Sequence, residues 1–216
     1  MQKIKACLFD LDGVIVDTAK YHFIAWRELA RELGFEFTEQ DNERLKGVSR
    51  LTSLDILLEV GGISLEKETK QILAEKKNSN YVDYIKKMTP DEILPGVINF
   101  IHELKENGIK IALGSASKNA PLILKQIGLE KLFDTVIDGN HVSRAKPDPE
   151  VFLKGAEALN VLPDECVVFE DAEAGIEAAR NGGMRCIGVG DPRILGKADF
   201  VVAGFNELSI ERLETC

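Results

Sequence analysis

Six short apolar runs recur along the chain, with helical patterns between them. They are KACLFD at 5–10, KIALGS at 110–115, DTVID at 134–138, CVVFED at 166–171, RCIGVG at 185–190 and DFVVA at 199–203. In GVINFIHELKENG, Val97, Phe100, Ile101 and Leu104 fall on one stripe and Gly108 supplies a stop. DAEAGIEAARNGG starts at Asp171, a good N-cap residue, is rich in Ala and Glu, and ends on Gly182 and Gly183. Strands alternating with helices predict a parallel sheet covered on both faces.

Residues from about 16 to 88 break that rhythm and read as helices throughout. YHFIAWRELARELG places Phe23, Trp26, Leu29, Ala30 and Leu33 on one face. SLEKETKQILAEKKNSNYVDYIKKM is a second long helical pattern, opened by Ser64. Pro90 and the pair Pro95–Gly96 then punctuate the return to alternation. The simplest organisation is an α/β core of residues 1–15 and 93–216 with a helical cap inserted at 16–92. No internal repeat or low-complexity tract is visible.

The chain has 216 residues and a formal net charge of −9, so it carries no basic footprint for nucleic acid. An anionic ligand must then be held by a few local cations or a metal, against the global field. Lys3 and Lys5 are followed by only a short apolar stretch that breaks at Asp10, unlike a signal peptide. No apolar run approaches the length of a membrane span. Cys7, Cys166, Cys186 and Cys216 lie far apart and read as free thiols. A cytoplasmic monomer is expected.

Ligands of open parallel sheets bind beyond the carboxyl ends of the strands. That rule gathers the polar residues of this chain: Asp10 and Asp12 after the first run, then Ser115, Ser117, Lys118 and Asn119 after the second. Lys146 follows the third run in RAKPDP, and Glu170 and Asp171 end the fourth. Four carboxylates in one crevice repel and raise one another's pKa. A hard divalent cation removes the conflict, and oxygen ligation suits Mg²⁺. Ser115 and Lys146 can hold a phosphoryl group beside it, leaving Asp10 to attack phosphorus and Asp12 to move a proton.

FDLDGVIVDT, SASKN, KPDP and FEDAEAGIEAA resemble the four sequence motifs of the haloacid dehalogenase superfamily, in order and each at a strand end. In the cap, DTAKYHFIAWRELA, LKGVSR and KKNSNYV resemble its phosphosugar-mutase members. The resemblance implies a Rossmann-like sheet with an all-helical cap. It also implies an isomerase of β-glucose 1-phosphate and glucose 6-phosphate, working through a glucose 1,6-bisphosphate that also serves as activator. Asp10 would be the phosphorylated nucleophile and Asp12 the general acid/base. Mg²⁺ would take the Asp10 side chain, the Asp12 carbonyl and Asp171, with Glu170 as a ligand or just behind. Ser115, Lys146 and the backbone at Leu11, Asp12 and Ala116 would hold the transferring phosphoryl group. Arg50, Ser117, Lys118 and Asn119 would grip the other phosphate. His22 and Lys77 would engage Asp12 on closure, while Trp26, Gly47, Val48, Ser49 and Ser53 would line the sugar and Thr18 would mark the hinge.

A hydrolase of small phosphate monoesters would use the same Asp10, Asp12 and metal. A mutase differs in needing a cap that excludes water and a second phosphate grip, which Arg50, Lys118 and Asn119 offer. A mere binding protein has no use for the nucleophile.

Overall fold

The computed structural model describes residues 3–214, so Cys216 lies outside the described residues. Among them, six strands form one sheet: β1 Ala6–Phe9, β2 Lys110–Gly114, β3 Thr135–Ile137, β4 Cys166–Glu170, β5 Arg185–Val189 and β6 Phe200–Val202. Every pairing is parallel and the order is β3-β2-β1-β4-β5-β6. The chain builds outward from β1 through β2 and β3, then crosses to the other side of β1 for β4. This reversal opens a crevice at the carboxyl ends of β1 and β4. All six strands arise from the six apolar runs.

Side chains alternate between the two faces of the sheet. Cys7 and Phe9 join Leu113, Val167 and Phe169 on one face, where α5 (Val97–Glu106) and α6 (Ala120–Gln126) cover them. Ala6 and Leu8 join Ala112, Val168 and Cys186 on the other, under α7 (Glu150–Leu159) and α8 (Glu173–Asn181). Phe9 and Phe169 are register partners whose rings stack with centroids 4.7 Å apart. That pairing fixes the next residues of the two strands, Asp10 and Glu170, side by side. Cys7, Cys166 and Cys186 are buried, and burial pushes the Cys166 thiol up to about 12.

Four helices occupy the insertion: α1 Ala19–Glu32, α2 Glu39–Glu43, α3 Arg50–Val60 and α4 Lys67–Ile85. They carry their own apolar cluster, including Trp26, Leu29, Leu54, Leu57 and Ala74. Two crossing segments join them to the sheet and pair with each other through an antiparallel bridge between Val16 and Ile93. Lys20 and the Tyr21 hydroxyl both donate to Glu92 at 2.5 Å, bracing the same junction.

Two helix starts differ from expectation. α4 begins at Lys67 behind an extended Glu66, rather than at Ser64. α8 begins at Glu173 behind an extended Ala172, so Asp171 is not its cap. The Asp171 carboxylate turns instead toward Gly13, where a Cβ would lie 2.1 Å from its Oδ2. Gly13 has φ +81°, and glycine serves both the turn and this close approach. Among the described residues no helix is long and apolar enough to cross a membrane.

Candidate active site

Asp10 leaves β1 with its backbone N–H still donating to Phe169 O at 3.0 Å, and its side chain is 5% exposed. Lys146, delivered by the loop after β3, buries its amine between the strand ends. Its Nζ donates to Asp10 Oδ1 at 2.5 Å and to Glu170 Oε1. Burial alone would lower the Lys146 pKa, but Asp10 and Glu170 outweigh it and hold the amine raised and charged. Glu170 Oε2 accepts from Ala172 N at 3.1 Å, so both Glu170 oxygens are engaged.

One ammonium does not answer four acids. Burial, then the Asp10 charge, raises Asp12 to about 6, although the Thr18 hydroxyl donates to its Oδ1. Burial raises Glu170 to about 7 against the pull of Lys146. Burial, then Glu170 and Asp10, lifts Asp171 well above the ordinary carboxylate range. No hydrogen bond or ion pair reaches the Asp171 carboxylate among the described residues. A buried, oxygen-only, over-negative donor set of this kind suits a hard divalent cation. Among the described residues no three side chains are gathered as ready ligands. The reason is visible: Glu170 is turned to Lys146 and Ala172, and the Asp12 carboxylate to Thr18. The Asp10 and Glu170 carboxylates both meet the Lys146 amine, and the Asp171 carboxylate is the one of the four that no such contact engages among the described residues. A cleft of about 350 Å³, lined by Gly13, Asp17, Lys46, Asp171 and Asp191, leads to Asp171 from outside.

The insertion contributes a second cluster above Asp12. Lys77 on α4 is 3% exposed, its Nζ lying 2.9 Å from His22 Nδ1 and 4.4 Å from the Trp26 ring centroid. Burial, then the Arg50 charge, holds Lys77 well below the ordinary lysine range, while Asp12 opposes the shift. Burial, then Lys77 and Arg50, holds His22 well below its usual value. Tyr81, one turn along α4, packs its ring 4.1 Å from that of His22. Trp26 and Ser53 are buried among the insertion's own helices, at 2% and 5% exposure. Ser49 caps α3 by accepting from Thr52 N at 3.2 Å. Val48 is half-buried in the loop between. Gly47, at φ +71°, brings this loop so close to the start of α8 that a Cβ would meet Ala172 Cβ at 2.9 Å.

After β2 the chain forms two nested turns. Ser115 is fully buried and its Oγ accepts from Ser117 N at 3.1 Å. Ser117 Oγ accepts from Asn119 N at 3.2 Å. Each hydroxyl therefore spends a lone pair on backbone and keeps its O–H to donate. Ala116 is half-buried, and Lys118 is exposed with its carbonyl accepting from Asn140 at 3.2 Å. Asn119 Nδ2 donates across the cleft to Asn78 Oδ1 at 2.9 Å. Arg50, at the first turn of α3, donates through Nη1 to Glu75 Oε1 at 2.8 Å. The sequence reading did not include Gly13, Asn78 or Tyr81 among the site residues. Gly13 could have been found in the DLDG turn; the other two carry no local signal.

Residues 4–183 match the haloacid dehalogenase-like hydrolase family. The chain is similar to a β-phosphoglucomutase of Bacillus subtilis, 43% identical over 97% of this chain and 94% of that protein. It is also similar to a phosphorylated carbohydrates phosphatase of Thermotoga maritima, 37% identical over 85% and 84% respectively. Among solved structures, a β-phosphoglucomutase from Clostridium difficile superimposes with a TM-score of 0.93 at 45% identity, covering 98% of this chain and 96% of that one.

Proposed function

The chain belongs to the haloacid dehalogenase-like hydrolase family, and from that premise we propose that it interconverts β-glucose 1-phosphate and glucose 6-phosphate. Asp10 attacks the phosphoryl group of a glucose 1,6-bisphosphate, forming an Asp10–phosphorus bond as the bond from phosphorus to sugar oxygen breaks. Asp12, protonated, gives its proton to the departing oxygen. In the other half-reaction the Asp12 carboxylate takes the proton of the 6-hydroxyl of glucose 1-phosphate as that oxygen attacks phosphorus and the Asp10–phosphorus bond breaks, which regenerates the bisphosphate that then turns round. A carboxyl raised to about 6 by burial and Asp10 populates both forms near neutrality, which suits both half-reactions.

Lys146 and the Ser115 hydroxyl hold the transferring group, and Arg50, Ser117, Lys118 and Asn119 hold the other phosphate. Asp10, the Asp12 carbonyl and Asp171 would hold Mg²⁺, which when bound supplies positive charge against the phosphoryl oxygens. Glu170 keeps Lys146 and the Ala172 loop in place. Residues 16–92 act as a cap on the core formed by 1–15 and 93–216.

The observation that carries a mutase over a hydrolase is enclosure. Lys77, beside His22, interacts with the Asp12 charge, and Gly47 is packed onto Ala172, so the cap rests on the nucleophile's side of the cleft. A phosphorylated aspartate must outlive the turning-round of a bisphosphate, and that requires water to be kept out. The test supplies β-glucose 1-phosphate, Mg²⁺ and a trace of glucose 1,6-bisphosphate. Glucose 6-phosphate as the main product is expected. Free phosphate in its place would make the chain a sugar phosphatase.

A further inference from the structure

Among the described residues, the bond between Asn119 Nδ2 and Asn78 Oδ1 is the one side-chain hydrogen bond that joins the helical insertion to the sheet unit away from the crossing segments. Its two ends are chemically informative. Asn119 closes the turn whose hydroxyls and backbone are arranged as anion donors, its own N–H being bonded to Ser117 Oγ. Asn78 directly follows Lys77 on α4. A single helix therefore ties the seat of one phosphate to the Lys77 amine, which is buried beside His22 and interacts with the Asp12 charge.

We propose that Asn78 is a positioning residue that latches the cap onto the 115–119 loop and so sets Lys77 against Asp12. The proposal rests on reading that loop as the grip for the non-transferring phosphate. An amide suits the task because it is neutral and carries its own acceptor. A lysine at 78 would compete for the phosphate, and an apolar residue would leave the Asn119 amide half-satisfied. Ordering the loop around an anion fixes the direction of the Asn119 N–H, and Asn78 then reads that order by hydrogen bonding to it. Gly47 on Ala172 is a steric contact and carries no such information, since it is insensitive to what fills the loop.

The latch is tested by distance. Cys7, Cys166 and Cys186 are buried, so spin labels can be placed selectively on Ile72→Cys, 68% exposed on α4, and Leu162→Cys, 61% exposed on the core, in a Cys216→Ser background. The separation is measured in the free protein and with Mg²⁺ and glucose 6-phosphate. Asn78→Ala should lower the ratio of short to long separations roughly fivefold, the weight of one ordinary hydrogen bond. The ratio of isomerisation to phosphate release should fall with it. Asn78→Asp keeps the acceptor oxygen and should match the parent's separations in the free protein. Unchanged separations in Asn78→Ala, or equal displacement by Asn78→Asp, would overturn the latch. A parent protein that releases only free phosphate removes the mutase reading alone, and the distance measurement then decides the latch by itself.

Discussion

Lys146 Nζ donates to Asp10 Oδ1 at 2.5 Å and to Glu170 with the same amine, so a single buried cation answers two buried carboxylates. Lys146→Met keeps the apolar stem and removes the charge. Breaking a buried ion pair from one side costs about 3–5 kcal/mol. Without the amine, the Glu170 carboxyl, already raised to about 7 by burial, rises further above its unfolded value, so the folded state binds the extra proton. Stability of the variant therefore falls as pH rises from the ordinary carboxylate range through neutrality. Denaturant melts at pH 5 and 7.5 should show the larger deficit at 7.5; equal deficits would contradict the pairing.

Asp10→Asn is expected to abolish turnover with an unchanged circular dichroism spectrum, because an amide does not attack phosphorus. Asp12→Asn should lose about 10²–10⁴-fold in rate and keep its Mg²⁺ affinity, since its carboxylate faces Thr18 and only its carbonyl is a proposed ligand. Calorimetric titration with Mg²⁺ separates the two roles.

Magnesium should stabilise the protein more at pH 7.5 than at pH 5. Burial holds Asp12 at about 6, Glu170 at about 7 and Asp171 raised, and a divalent cation in their midst favours the ionised forms, so its stabilising increment grows through this window. Glu150 and Asp191, each lowered to about 2, titrate below it and do not contribute. Thermal melts with Mg²⁺ or with chelator at the two pH values measure the difference. An increment independent of pH would dissociate the acids from the metal.

Lys77→Met should raise the melting temperature by a few degrees at pH 7 while lowering isomerase activity. The Lys77 pKa is depressed in the folded protein, so below the unfolded lysine value the unfolded chain binds more protons and folding is penalised. The penalty fades as pH rises toward that value, so the gap between parent and variant should narrow between pH 7 and 10. A variant less stable than the parent at pH 7 would show that the His22 and Trp26 contacts outweigh desolvation.

Arg50→Lys separates mutase from hydrolase. A lysine keeps the charge but cannot offer one edge of a planar fork to a phosphate while Nη1 stays on Glu75. Isomerisation should fall roughly tenfold, whereas slow hydrolysis of acetyl phosphate, which lacks a second phosphate, should barely change. Parallel loss of both would remove Arg50 from the grip.

The strands and their terminal acids were legible because a buried parallel sheet writes itself as short apolar runs, and ligand chemistry gathers where those runs stop. Asp171 shows the limit. An aspartate before an alanine-rich helix reads as its cap as well as a strand-end acid, whereas the helix starts at Glu173 behind an extended Ala172 and the carboxylate lies against Gly13. Trp26 shows another: a helical stripe does not say which apolar residue meets a charged group, and only the fold brings the Lys77 amine to 4.4 Å from its ring. Asn78 was illegible because its meaning lies in Asn119, which only the tertiary fold brings to it.

Strand β1 is bounded on both sides by strands made much later, and Asp10 at its end meets an amine 136 residues further along the chain. On the ribosome, the first residues emerge with no sheet to join, while the four insertion helices, whose contacts are local, can fold ahead of it. Asp10 thus waits without the Lys146 amine and the acids that gather beside it until Lys146, Glu170 and Asp171 have been synthesised. A nascent or prematurely terminated chain of this architecture is chemically silent: no fragment that ends before β4 can place its aspartate where phosphorus is attacked.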